Sequence, residues 1–319
     1  MSTGEPRRFR SQSDPRSRAE PSDSDALGQS PIRGLAIVAT PIGNAADITL
    51  RALATLKSVD AILCEDTRVS AKLLARHGIR RPLVAYHEHN AERMRPKILE
   101  RLRRGESLAL ISDAGTPLVS DPGYKLLQAA IEEGLAVTTM PGPSAPLAAL
   151  VLSGLPPDRF MFAGFLPARS AARRQALGEL AAIPATLILF ESAGRLAASL
   201  ADMASVLGPR PAAVARELTK LFEEVRRDDL AALAAHYAAA GPPLGEIVVV
   251  IGPPSEAAPP AESTVDAALG EALARMSLRD AVDAVAAATG QPRRVVYARA
   301  LVLAEGAATA ADDEPGNDG

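Results

Sequence analysis

Tryptophan is absent from this chain of 319 residues, and aromatic residues make up only 3% of it. Stacking platforms for unpaired bases are therefore scarce, and the core has to be assembled from Ala, Leu, Val and Ile. A single cysteine, Cys64, excludes an intramolecular disulfide. It ends the apolar run Asp60-Ala-Ile-Leu-Cys64, the setting of a buried structural thiol. No cysteine–histidine cluster has zinc spacing, and among the four histidines only the group His87-Glu88-His89 suggests a metal. On a strand it would put both imidazoles on one face, but a third ligand is not evident, so no metal is expected. Neither sign of charge dominates: 35 Lys and Arg stand against 38 Asp and Glu, a net charge of −3. That excludes a generally basic RNA-binding face and leaves any nucleic-acid contact to a local patch. No apolar run approaches the roughly 20 residues of a membrane-spanning helix. The first residues carry no apolar signal core, so a cytoplasmic protein is expected. Two nucleotide signatures are missing as well, GxGxxG after the first strand and GxxxxGKS/T anywhere, which disfavours dinucleotide and P-loop readings.

What is present is a pair of glycine-proline loops, each directly after a short apolar run. They are LAIVATPIGNAADITLRAL, residues 35–53, and LALISDAGTPLVSDPG, residues 108–123. Each reads as a buried strand, a backbone-rich turn and then a helix. In an open α/β sheet ligands bind at the carboxyl ends of strands, where such turns lie. Their glycines, Gly43, Gly115 and Gly123, let backbone approach a ligand closely, while Pro41 and Pro117 stiffen the turns. Thr40, Asp47, Asp113 and Thr116 stand beside those glycines, so two rigid walls are expected to face one small molecule.

Residues 1–33 have the composition of a disordered tail. An α/β unit is expected over 34–143, with strands at 35–39, 60–64, 83–86, 108–112 and 136–140 alternating with helices at 47–57, 66–77, 90–104 and 122–133. Such alternation predicts a mostly parallel sheet covered by helices. A second α/β unit follows over 144–254. It opens with a helix at 144–153, capped by Ser144 with Pro146 in its first turn. Strands are expected at 160–164, 185–190, 212–216 and 246–251, and helices at 170–181, 194–206 and 228–240. The cleft between the two units is the natural ligand site. A linker over 255–263, a small helical unit over 264–305 and a disordered tail over 306–319 complete the chain. Within the helical unit Ser277 and Asp280 form an N-terminal box, Gly290 ends the first helix, and a second helix runs from Arg293 to Ala304. That is a helix-turn-helix outline, with Arg293, Arg294 and Arg299 making the second helix locally basic. An RNA contact and a packing appendage are both open readings of it.

The motifs VATPIGNAADITLRAL, ILCEDTR, LISDAGTPLVSDPG, MPGPSA, FAGFLP, RELTKLFEE and GEIVVVIG occur in this order. In that order they resemble the family of ribosomal RNA small subunit methyltransferase I, within the tetrapyrrole methylase superfamily. The resemblance covers Leu35 to about Gly252, and 277–304 is similar to that family's small C-terminal helix-turn-helix domain. It departs at Glu191-Ser192-Ala193-Gly194-Arg195, where the family usually reads Glu-Ser-Pro-His-Arg. The resemblance implies a two-domain class III methyltransferase fold, S-adenosylmethionine in the cleft, and a homodimer. It also implies methyl transfer to the ribose 2′-hydroxyl of the cytidine at position 1402 of 16S rRNA in the small ribosomal subunit.

Carried over residue by residue, the resemblance assigns the cofactor to Pro41, to Asp113, Ala114, Gly115 and Pro117, to Ser144 and Ala145, and to Phe165 and Gly245. Candidates for the chemistry are Glu65 and Asp66 of CEDTR, Glu191, and Glu217 and Lys220 of RELTK, none of them assigned uniquely. Arg68, Arg216, Arg293, Arg294 and Arg299 are candidate RNA contacts. Purely structural roles compete: Ser144 as a helix cap, Asp113 as a turn former, and Glu65 or Asp66 as the ion-pair partner of Arg68. Two other functional readings remain open, a superfamily methyltransferase acting on a tetrapyrrole or a modified protein histidine, and a non-catalytic cofactor-sensing RNA-binding protein.

Overall fold

The structure, a computed structural model, describes residues 32–254 and 262–312. The proposed N-terminal tail and the linker up to residue 261 lie outside the described residues. The chain divides into two compact units, one ending at Pro253 and one beginning at Pro254.

Among the described residues the first unit holds two sheets. In chain order the elements of its first half are β1 (Gly34–Val38), α1 (Leu50–Ser58), β2 (Ala61–Cys64), α2 (Thr67–Arg76), β3 (Leu83–Ala85), α3 (Glu88–Arg103), β4 (Ser107–Ile111), α4 (Tyr124–Glu132) and β5 (Val137–Met140). These strands form one sheet in the order β3-β2-β4-β1-β5, with every pairing parallel. The apolar runs have no polar alternation because both faces are covered. Leu35 and Ile37 pack with Leu108 and Leu110 on one face, and Ala36 and Val38 pack with Ala109 and Ile111 on the other.

The second half comprises α5 (Ala145–Ser153), β6 (Phe160–Phe165), α6 (Ser170–Leu180), β7 (Thr186–Glu191), α7 (Leu196–Leu207), β8 (Pro211–Arg216), β9 (Glu224–Asp229), α8 (Leu230–Ala240) and β10 (Ile247–Ile251). Its sheet runs β6-β7-β10-β8-β9 and is mixed: β6 and β7 are parallel, the other pairs antiparallel. The two halves share a core, in which Ile42 of the first loop and Ala149 and Leu150 of α5 pack with Ile188, Ala213 and Val248 of the second sheet. This shared core makes the two expected α/β units one compact body.

Two expectations need correction here. Residues 224–229, EVRRDD, form edge strand β9, and the helix expected from 228 begins at Leu230. Its one apolar residue, Val225, packs on the shared core, too little to mark a strand, and an edge strand can carry charge outward. Asp229 closes it and caps the helix, its side chain accepting from the Ala232 N–H at 2.8 Å. His87, between the expected strand and helix, lies at the N-cap of α3, with its ring 6.0 Å from that of His89. Ser144 sits at the N-cap of α5, yet its side chain makes no cap hydrogen bond.

Among the described residues the second unit has three helices, α9 (Glu262–Leu273), α10 (Leu278–Thr289) and α11 (Arg293–Asp312). Helix α9 was hidden by the Pro/Ala/Glu/Ser composition before it, and α11 continues through 306–312, where a tail was expected. Val265 and Leu269 of α9 join Val282, Val285, Val296 and Ala300 in a separate small core. At the start of α10 the Ser277 hydroxyl donates to Asp280 Oδ2 at 2.6 Å while accepting from the Asp280 N–H at 3.3 Å. The acid is thus turned to the cap hydroxyl rather than to the cap backbone.

Candidate active site

The carboxyl ends of β1 and β4 carry the two glycine loops, and the loops are joined to each other. The Thr40 N–H donates to the Gly115 carbonyl at 2.9 Å, and the Gly115 N–H donates back to the Thr40 carbonyl at 3.1 Å. The Thr40 hydroxyl donates to the Ser112 carbonyl at 3.1 Å, and that of Thr116 donates to the Pro143 carbonyl at 3.1 Å. Loop backbone is therefore fixed before any ligand arrives.

These loops form one wall of a cavity of about 430 Å³ within the first unit. From the first half the wall takes Ile42, the stretch Ala114–Thr116, and Val119, Ser120 and Asp121. From the second half it takes Ser144, Ala145, Phe165, Phe190, Glu191 and Gly245–Val248. The volume suits a ligand of nucleoside size. Phe165 and Phe190, with ring centroids 5.3 Å apart, offer an apolar face, while the 114–116 backbone and the Ser144 side chain offer polar groups.

Of the residues expected at a cofactor, Ala114, Gly115, Ser144, Ala145, Phe165 and Gly245 stand on this wall. Pro41 and Pro117 do not; both are buried within their loops. Asp113 also turns away. Its Oδ1 accepts from the Asp66 N–H at 3.3 Å, and burial, joined by the Asp66 charge, raises its carboxyl above the usual range. Gly245 has φ +97°, and a Cβ there would lie 2.1 Å from Glu217 Oε1, so only glycine fits.

The candidates for chemistry divide the same way. Glu191 is on the wall, 3% exposed, but its carboxylate is fully engaged. It accepts from the Ser192 N–H at 2.7 Å, from the Ser199 hydroxyl at 2.5 Å, and pairs with Arg195 at 2.6 Å. Glu65 and Asp66 lie off the wall at the end of β2. Asp66 caps α2, accepting from the Arg68 N–H and guanidinium, both at 2.8 Å, and these bonds lower its carboxyl to about 2. Arg68 is thus the ion-pair partner of Asp66. The RELTK segment also lies off the wall and forms a charge cluster. Arg216 pairs with Glu224 at 2.7 Å, and Lys220 bridges Glu217 at 2.8 Å and Glu246 at 3.1 Å. It is braced on the first loop, where the Asn44 N–H donates to the Thr219 hydroxyl at 3.0 Å.

In the second unit Arg293 pairs with Asp283, and Arg299 donates twice to Asp266 at 2.6 Å, joining α11 to α9. Arg294 is exposed. Among the described residues no group of three or more His, Cys, Asp or Glu is arranged to hold a metal ion, and no helix is long and apolar enough to cross a membrane.

Asp121 was not singled out from the sequence. Burial first, then the charges of Glu65 and Asp113, push its carboxyl from 3.8 up to about 6. The signal available was the SDPG run ending the second motif, where an acid precedes the glycine that opens a helix.

Residues 34–234 match the family described as Tetrapyrrole (Corrin/Porphyrin) Methylases, and residues 257–304 match the RsmI C-terminal HTH domain. The chain is 56% identical over 270 residues to a protein of Mesorhizobium japonicum named ribosomal RNA small subunit methyltransferase I, covering 84% of this chain and 92% of that one. A protein of the same name from Pseudomonas aeruginosa is 44% identical over 273 residues, covering 84% and 96%. Among solved structures, a diphthine synthase superposes with TM-score 0.55 at 18% identity over 68% of this chain and 89% of that one. Uroporphyrin-III-C-methyltransferase from Thermus thermophilus superposes with TM-score 0.51 at 22% identity, over 68% and 93%. These two likenesses describe the fold.

Proposed function

Because the chain belongs to the tetrapyrrole methylase family, and to the branch of it named ribosomal RNA small subunit methyltransferase I, we propose that it methylates small-subunit rRNA with S-adenosylmethionine. The acceptor in this reading is the ribose 2′-hydroxyl of the cytidine at position 1402 of 16S rRNA, and the enzyme works as a cytoplasmic homodimer on the small ribosomal subunit. The observation that carries the reading is the cavity itself, walled by the hydrogen-bonded 114–116 backbone on one side and by Phe165 and Gly245 on the other.

The residues present suit the cofactor. The 114–116 backbone and Ser144 would hold its polar end, and Phe165, Phe190, Ile247 and Val248 would cover its base. When bound, it supplies a methyl group already activated by a positive sulfur, so the chemistry asks no metal of the protein. The chain's part is to position: these walls would hold cofactor and acceptor for an in-line transfer, and positioning of this kind supplies a large share of such an acceleration. Apolar walls exclude water, which would otherwise compete for hydrogen bonds with the acceptor.

Ribose-methylation mapping of small-subunit rRNA in a deletion strain, with complementation by this chain, tests the reading. Loss of one ribose methyl in the deletion and its return on complementation are expected. An unchanged methylation map would refute the assignment.

A further inference from the structure

We propose that the Asp121 carboxylate is the group that takes the proton from the acceptor hydroxyl during methyl transfer. The inference rests on the methyltransferase reading above and names a residue for it. A ribose hydroxyl is a poor nucleophile until its proton is accepted, so a free acceptor on the cavity wall would speed the step.

Three carboxylates stand on that wall: Asp121, Glu191 and Glu246. Glu191 is used up by Ser192, Ser199 and Arg195. Glu246 is paired with Lys220. Asp121 is half-buried, and among the described residues no group donates a hydrogen bond to it. The other candidates lie off the wall, Asp66 spent on the α2 cap and Glu217 on Lys220.

The backbone presents Asp121 at a cost. Leu118 and Ser120 both take the left-handed conformation, with φ +72° and +68°. Non-glycine residues are rarely held there, and such strain gathers at functional sites. Two such residues in three aim the 119–121 stretch at the cavity.

The groups facing Asp121 are the carboxyl groups of Glu65 from the end of β2 and Asp113 from the end of β4. With burial they leave the carboxyl titrating at about 6, high enough to receive a proton and still ionised at neutral pH. The step balances. An Asp121 oxygen forms a bond to the proton, and the O–H pair passes to the acceptor oxygen. That oxygen bonds the methyl carbon, and the carbon–sulfur pair stays on sulfur, which becomes neutral.

The test is single-turnover methyl transfer to undermethylated small subunits by wild type and Asp121→Asn across roughly pH 5 to 8. Cofactor affinity by calorimetry and melting temperature are read alongside. Wild type should gain rate through about pH 6 and then level. Asp121→Asn should lose roughly 10²–10⁴-fold, lose that pH limb, keep cofactor affinity within about threefold, and melt no lower at neutral pH. A loss under tenfold, a retained limb, or a loss matched by weakened cofactor binding overturns the assignment to Asp121. Absence of transfer by wild type overturns the methyltransferase reading instead.

Discussion

Thr40 and Gly115 exchange two backbone hydrogen bonds, 2.9 and 3.1 Å long, across 75 residues of sequence. This small antiparallel bridge ties the loop after β1 to the loop after β4, so neither can shift alone. Ile42, two residues beyond Thr40, then serves both the cavity wall and the core shared by the two sheets.

Gly115→Val should therefore damage both fold and site. Gly115 has φ +80°, and a Cβ there would meet Ile42 Cγ2 at 3.2 Å. The backbone cost alone is about 1–2 kcal/mol for a residue with a Cβ. Denaturant unfolding should show that loss, and calorimetry should show weakened S-adenosylmethionine binding. Unchanged stability would mean that the loop is softer than the Thr40 bridge implies.

Glu191→Ala should act mainly on stability. It leaves the buried Ser199 hydroxyl without its acceptor and Arg195 without its carboxylate, but the Arg195 side chain is 30% exposed, so water takes up part of its charge and the loss should be about 1–3 kcal/mol. Chemical denaturation of the purified variant measures this. A variant as stable as wild type but inactive would restore Glu191 to the chemistry.

The stability of Asp121→Asn should depend on pH in a set direction. Burial and the neighbouring acids raise the folded carboxyl from 3.8 to about 6. A carboxyl that binds its proton more tightly in the folded chain adds stability below the unfolded value and loses it as pH rises through the folded one. Wild type should thus melt below Asp121→Asn at neutral pH, and the gap should close as pH falls from about 6 to about 4. Melting curves in matched buffers decide this; a gap that is absent or reversed at neutral pH would show that Asp121 is not destabilised by its surroundings.

Arginines of α11 should separate by role. Arg299 joins α11 to α9 through Asp266, so Arg299→Gln should lower the melting temperature of the helical unit. Arg294 is exposed, so Arg294→Gln should leave melting unchanged and make the salt dependence of subunit binding shallower by about one counterion. An unchanged salt slope would remove Arg294 from the candidate RNA contacts.

The first sheet was legible because its strands are buried on both faces, and Leu35–Val38 and Leu108–Ile111 carry that burial as unbroken apolar runs. Strand β9 was not, because only Val225 of it packs on the core while Arg226, Arg227, Asp228 and Asp229 lie on an edge open to charge. At the site, Gly115 and Ser144 could be found because glycine loops and helix starts announce themselves in sequence. Asp113 could not be excluded, since its bond to the Asp66 N–H joins residues 47 apart. Asp121 was invisible for the opposite reason. Its isolation from donors and its nearness to Glu65 are properties of packing, not of the SDPG run.

The most direct test of the account uses purified protein, S-adenosylmethionine labelled in the methyl group, and small subunits lacking the modification. Alkaline hydrolysis of the RNA cuts beside every free 2′-hydroxyl. The account predicts label in a single alkali-resistant dinucleotide whose methylated residue is cytidine. Label in an alkali-sensitive nucleotide, in protein, or in no product would contradict it.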